Sequence, residues 1–166
     1  MGFDSKFVLI RGLLALGTLF LLSCAPQSRT RLIVVFISDL ELNQIDIEIK
    51  NLNPARETSE TISATGGLIK FPGSFVIEAD ENGRDAQFTV LFTATGPNQT
   101  VMLSQRVRTN FVPYETRKLP IYFNQACLGV TCSDTELCNE DGQCENYWRE
   151  ANTLDEVSPE MEFDDL

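Results

Sequence analysis

The chain has 166 residues, a formal net charge of −11 and no histidine. This length fits one domain with a small additional module. The negative charge argues against nucleic-acid binding, which needs a basic surface to displace the counterions of phosphate groups. The absence of histidine excludes His-based catalytic triads and His-ligated metal sites. We predict a non-enzymatic protein without a cofactor, since no pattern places two carboxylates on one buried face.

The first 23 residues have the layout of an export signal. Lys6 and Arg11 precede an uninterrupted apolar run over residues 12–22. This run is shorter than the roughly 20 residues that a membrane-spanning helix needs. A basic start followed by an apolar stretch of this length is typical of a secretory signal peptide.

Residues 21–24, which read Leu-Leu-Ser-Cys, resemble the lipobox of bacterial lipoproteins. The resemblance implies that Cys24 carries a diacylglyceryl group, that residues 1–23 are removed, and that the new amine is acylated, for example by palmitate. Several acyl chains together anchor a protein stably to a membrane. Residues 24–30 would then form a tether, and Ala25 after the cysteine implies sorting to the outer membrane. The alternative is an ordinary signal peptide, or an uncleaved anchor, with a chance cysteine.

Residues 31–124 show a period of two, which predicts β-strands, and the unbroken apolar run 32–37 predicts a strand buried on both faces. Six or seven strands are expected, at residues 32–37, 44–50, 68–71 (a short candidate), 74–80, 86–95, 100–109 and 117–123. The polar stretch 51–67 predicts a loop with at most one weak strand. Short strands at this spacing, separated by Gly, Pro and Asn turns, favour an all-β, antiparallel sandwich of the immunoglobulin or transthyretin type.

Two local signals refine this prediction. The dipeptide Asn82-Gly83 predicts a hairpin between strands 74–80 and 86–95, because both residues tolerate positive φ. Pro120 lacks a backbone N–H and therefore predicts that strand 117–123 lies at a sheet edge.

Residues 125–146 form a cysteine-rich module after the last strand. Its four cysteines are spaced C-x4-C-x5-C-x5-C, at Cys127, Cys132, Cys138 and Cys144. Zinc sites favour closer cysteine pairs and often histidine, whereas an exported chain meets an oxidising compartment, so we expect two disulfides. Four cysteines allow three pairings. The module resembles small EGF-like pieces, and that resemblance implies the interleaved pairing Cys127–Cys138 and Cys132–Cys144.

Residues 125–132, which read Gln-Ala-Cys-Leu-Gly-Val-Thr-Cys, carry a second resemblance. The segment is similar to the C-terminal four-cysteine segment of uncharacterised envelope lipoproteins from myxobacteria and related predatory or gliding bacteria, in which it follows a β-sandwich. The resemblance implies an envelope protein and supplies no catalytic residues.

Two groups of surface residues are candidate binding sites. Arg106 and Arg108 share one strand face and could contact an anionic polymer or the acidic patch of a partner; the alternative is a solvated face that discourages edge pairing. Asp80, Asn82 and Asp85 crowd one predicted hairpin and are weak candidates for calcium ligands. Solvated turn residues are the alternative there, so we predict no metal site.

Residues 147–166 predict a disordered acidic tail, because residues 149–166 contain seven acidic residues and one basic residue. The whole pattern predicts a lipid-anchored protein of the outer membrane, on its periplasmic or surface face. Its role would be binding or structural: adhesion, scaffolding, or service as an accessory subunit of a surface complex. The expected partners are the membrane, through the lipid, and another envelope protein or a surface polymer. The alternative is a calcium- or small-ligand-binding envelope module.

Overall fold

The computed structural model describes residues 29–52, 55–64, 67–80 and 83–157. Strands dominate this part of the chain, which confirms the predicted all-β class, and the described helical residues form two short 3-10 turns, Gln125–Cys127 and Ala151–Thr153. The strands are β1 (Arg31–Ser38), β2 (Gln44–Leu52), β3 (Ala55–Ser63), β4 (Gly73–Glu78), β5 (Gln87–Thr95), β6 (Val101–Asn110), β7 (Thr116–Phe123), β8 (Glu136–Cys138), β9 (Cys144–Asn146), β10 (Trp148–Arg149) and β11 (Asp155–Glu156).

These strands form two main sheets and one small ribbon. The four-stranded sheet has the order β11-β7-β1-β4, the five-stranded sheet has the order β10-β6-β5-β2-β3, and β8 pairs with β9. The prediction of purely antiparallel pairing is wrong, because β1–β7 and β6–β10 are parallel pairs. An alternating pattern specifies which side chains are buried and is the same for either strand direction, so it could not reveal this mixture.

The two main sheets pack face to face around one core. Phe36 of β1 meets Phe92 of β5 at 5.5 Å between ring centroids and Phe123 of β7 at 5.9 Å. All three side chains are almost completely buried. Aromatic rings each remove a large apolar area from water, so this trio contributes strongly to holding the sheets together.

Strand β1 is buried on both faces, as its unbroken apolar sequence predicts. Val34 and its even-numbered neighbours face the shared core, whereas Ile33 and Val35 form a second cluster with Val157. The outer side of this central strand is thus covered by the C-terminal part of the described chain.

The predicted hairpin around Asn82-Gly83 is wrong. Strand β4 pairs with β1, whereas β5 pairs with β2 and β6 in the other sheet. Ile77 and Phe88 therefore face the same core from opposite sheets. A turn signal predicts that the chain reverses direction. The next strand can then lie beside the previous strand in the same sheet or in the opposite sheet across the core. Asn82 itself lies outside the described residues.

Smaller differences concern the irregular segments. Strand β3 occupies the centre of the predicted loop 51–67, and residues 68–71 form no strand. Among the described residues, no strand pairs with Pro120 on the outer side of β7, because the two-residue β11 pairs with Arg117 and Lys118. The edge position that proline predicted therefore holds for its own part of β7.

The predicted disordered tail is wrong for residues 147–157, which contain β10 and β11; residues 158–166 lie outside the described part. Polar side chains of the sheets hold this segment. Thr109 Oγ1 donates to the Arg149 carbonyl at 2.7 Å, and Asn110 Oδ1 accepts from the Ala151 N–H at 3.1 Å. Ala151 and Val157 are buried. Acidic composition predicts disorder. Hydrogen bonds from side chains of the sheet to the backbone of this segment, together with the burial of Ala151 and Val157, stabilise its ordered conformation instead.

Candidate functional site

Two of the candidate residues lie outside the described part of the chain. These are Cys24, expected to carry the lipid, and Asn82, one of the three possible calcium ligands. Lipidation of Cys24 therefore stays a prediction.

The four cysteines of the module are joined as two disulfides, which confirms disulfide bonding. Cys127 pairs with Cys138, and Cys132 pairs with Cys144, with Cα separations of 5.9 and 5.5 Å. This is the interleaved pairing that the EGF-like resemblance implies. The two bridges differ in environment: Cys127 and Cys138 are buried in the main core, whereas Cys144 is exposed.

The module is attached to the sheets by a buried amide that the sequence analysis did not single out. Gln105 of β6 is 1% exposed. Its Nε2 donates to the carbonyls of Cys138 at 2.9 Å and Tyr122 at 3.1 Å, and its Oε1 accepts from the Cys138 N–H at 3.1 Å. A signal was present in the sequence, because this glutamine occupies an inward position between Leu103 and Val107. Buried polar groups need such partners.

The phenol of Tyr122 lies beside the carboxylates of the module. Burial raises the pKa of Tyr122 above its usual value of 10.0, and the nearby carboxylates of Glu140 and Glu145 raise this pKa further. The phenol therefore keeps its proton at physiological pH beside these carboxylates.

A close backbone approach inside the module gives a testable prediction. Gly142 has φ +78°, and a Cβ placed there would lie 2.6 Å from the carbonyl oxygen of Ala126. Gly129 has a similar φ of +77°, but a Cβ added at that position would meet no atom within 4 Å. We expect Gly142→Ala to destabilise the protein by about 2–4 kcal/mol, which combines left-handed strain with overpacking.

Gly129→Ala is the matched control and should cost only the left-handed term, about 1–2 kcal/mol. Urea denaturation of the oxidised protein measures both changes. Equal losses for the two variants would show that the turn at Gly142 can move away from Ala126 at no cost.

Arg106 and Arg108 both point outward from the five-stranded sheet, as predicted, and both have partners within the protein. Arg106 Nη1 lies 3.6 Å from Asp134 Oδ1. Arg108 Nη2 donates to Gln87 Oε1 at 2.9 Å, and its guanidinium lies 5.4 Å from the ring centroid of Trp148. Both arginines therefore belong to local networks, and the carboxylate of Asp134 offsets part of the charge of Arg106.

A shallow groove of about 310 Å³ runs across the outer face of the same sheet. Its floor is Leu91 of β5, which lies in register between Glu48 of β2 and Arg106 of β6. Lys50 Nζ lies 3.0 Å from Glu48 Oε1. The remaining lining residues are Thr89, Asp134 and Tyr147. Charged, hydroxyl, aliphatic and aromatic groups thus converge on one concave surface, as in small-ligand sites.

The candidate calcium ligands are less well organised. Asp80 and Asp85 are exposed, and the Asp80 carbonyl accepts from the Gly83 N–H at 3.2 Å as part of a turn. Asp80 and Glu78 also border a second cavity, of about 240 Å³, at one end of the core. Within the described ranges, no group of three His, Cys, Asp or Glu side chains is close enough to hold a metal ion.

No protein-family model matches the chain, and no curated protein or solved structure matches it either. In the part of the chain that the structure describes, no helix has the length and apolar character needed to span a membrane. The groove remains a described surface where charged, hydroxyl, aliphatic and aromatic groups meet.

Proposed function

We propose that the protein is a lipid-anchored envelope protein of the outer membrane with a non-catalytic binding or structural role. The observation that carries this proposal is the pair of disulfides built into the fold. Structural disulfides persist in exported proteins and are rare in reducing compartments. The basic and apolar start of the sequence and the lipobox-like residues 21–24 accord with the same route of export.

The finer architecture we propose is a sandwich of the immunoglobulin or transthyretin type. Two facing sheets with one aromatic core support it, as does the concentration of long strands between residues 31 and 123. Folds of this type commonly bind ligands on their sheet faces, at strand edges or at the loops at their ends.

A binding role is supported by the groove on the five-stranded sheet. The groove is outward-facing and lies on strands, which position side chains more precisely than loops do. Adhesion, envelope scaffolding and service as an accessory subunit all require a surface of this kind. The resemblance to envelope lipoproteins of predatory or gliding bacteria points in the same direction.

The test is metabolic labelling with a palmitate analogue in a Gram-negative host, followed by membrane fractionation of the full-length chain. The wild type should incorporate label and be recovered in the outer-membrane fraction. Cys24→Ala should lose the label, because the acceptor thiol is gone. Ser23→Ala is the matched control, since it keeps a small residue before the cysteine and should leave labelling unchanged. An unlabelled, soluble wild type would refute the proposal.

Protease treatment of intact cells then separates the two possible faces of the membrane. Digestion of the labelled protein would place it on the cell surface and favour adhesion. Protection until the outer membrane is permeabilised would place it in the periplasm and favour a scaffold or accessory role.

A further inference from the structure

The charged groups of the groove occur in neutralised pairs. Lys50 is paired with Glu48 at 3.0 Å, and Arg106 is paired with Asp134 at 3.6 Å. All four side chains are more than a third exposed, so their polar atoms are accessible to a ligand. The groove therefore presents donors and acceptors together without a large net charge, whereas the chain as a whole carries −11. Neither the balanced charge of the groove nor the negative charge of the whole chain attracts a polyanion.

The register of the sheet sets the spacing of these pairs. Glu48 and Arg106 lie opposite Leu91 on its two neighbouring strands. Because adjacent strands lie about 4.8 Å apart, the two charged pairs flank the half-buried Leu91 at a span of about 10 Å. Tyr147, which follows the disulfide module, adds an aromatic side chain to the same groove. The result is a polar rim around an apolar floor.

Hydroxyl-rich ligands match this rim. A hydroxyl donates one hydrogen bond and accepts two, whereas ammonium and guanidinium groups only donate and carboxylates only accept. Two neighbouring hydroxyls of a sugar can therefore donate to Glu48 and accept from Lys50 at the same time, and likewise at Asp134 and Arg106. The C–H face of the sugar ring can pack on the apolar floor. An anionic ligand would gain little net attraction, because each cation of the groove is paired with a carboxylate.

We propose that this groove binds a neutral glycan. The inference rests on the proposed role as an envelope binding protein and identifies the class of its partner. It also replaces the anionic polymer that the two arginines suggested from sequence, because Arg106 is compensated by Asp134 and Arg108 is held by Gln87 and Trp148.

Affinity electrophoresis tests this with the full-length protein in a zwitterionic detergent, which avoids sugar-headed detergents that would compete. The gels contain dextran, galactomannan or xyloglucan as neutral probes and polygalacturonate as the anionic probe. The wild type should be retarded by at least one neutral polysaccharide and not by polygalacturonate. Glu48→Ala and Arg106→Ala should each weaken retardation about tenfold or more, since each removes a hydrogen bond to a charged group.

Arg84→Ala is the matched control. Arg84, like Arg106, is a half-buried arginine; its guanidinium lies 4.8 Å from the ring centroid of Tyr114, and it does not line the groove. This variant should bind as the wild type does. Thermal melting of each variant shows that it is folded, so that lost binding reports on the groove.

Three outcomes would overturn the inference: no retardation by any neutral probe, retardation by polygalacturonate as strong as by the neutral probes, or unchanged retardation of both groove variants. Palmitate labelling separates this failure from failure of the proposed function. A labelled outer-membrane protein that ignores all neutral probes would retain its proposed location and lose its proposed ligand. An unlabelled soluble protein that binds a neutral glycan would lose its proposed location and retain its proposed ligand.

Discussion

Replacing Cys127 and Cys138 together by alanine should lower the free energy of unfolding by more than the same change at Cys132 and Cys144. The two bridges close loops of nearly equal length, with sequence separations of 11 and 12 residues. Their effects on the unfolded chain should therefore be almost the same, about 3 kcal/mol each. The difference comes from the folded state.

Cys127 and Cys138 are 0% and 3% exposed and pack in the main core, so alanine leaves a cavity there. We expect a further loss of about 1 kcal/mol or more from that cavity. Cys132 is half-buried beside this core and Cys144 is exposed, so alanine at these two positions leaves less unfilled space. Urea denaturation of the two double variants measures the difference. Equal losses would mean that loop closure alone accounts for both bridges.

Gln105→Leu should destabilise the protein by about 3 kcal/mol or more. The substitution preserves approximate volume but leaves the Cys138 N–H and the Cys138 and Tyr122 carbonyls without the amide that satisfies them. Each buried polar group left without a partner costs about 1–3 kcal/mol. Amide hydrogen exchange at Cys138 should also become faster, because its N–H loses its acceptor.

Gln87→Leu is the matched control for this change. Gln87 is exposed on β5 and accepts a single hydrogen bond from Arg108, so its loss should cost less than about 1 kcal/mol. If both glutamine variants were equally stable, the disulfides and apolar contacts would be sufficient to hold the module on the sheets.

In the cysteine-rich module, the structure confirms the predicted disulfide bonding but places the module differently from what the sequence suggests. Spacing and the absence of histidine favoured disulfides over a metal, and the structure contains two disulfides. The sequence presents residues 125–146 as a separate module after the last strand, whereas Cys127, Leu137 and Cys138 extend the core of the two sheets. The sequence could not show this, because the spacing of these three residues follows neither a helical nor a strand period.

The candidate site could be predicted only in part from the sequence. Arg106 and Arg108 were placed correctly on one outward face, since residues two apart in a strand share a face. Asp134 lies in a turn of the cysteine-rich module and Gln87 lies on the neighbouring strand β5, and neither pairing has a local signal in the sequence. The pairing of Arg106 with Asp134 could therefore not be predicted from sequence, and neither could the reason for proposing a neutral rather than an anionic ligand.

The amino-acid sequence by itself determined the all-β class, the inward and outward faces of the strands, and the disulfide chemistry. Each of these depends on residue type and on a period of two, which are local properties. Tertiary structure alone decided that β4 and β5 lie in different sheets, that β7 runs parallel to β1, and that residues 147–157 are ordered. These outcomes depend on contacts between residues far apart in the chain, where hydrogen bonds such as those of Gln105 and Thr109 outweigh local preference.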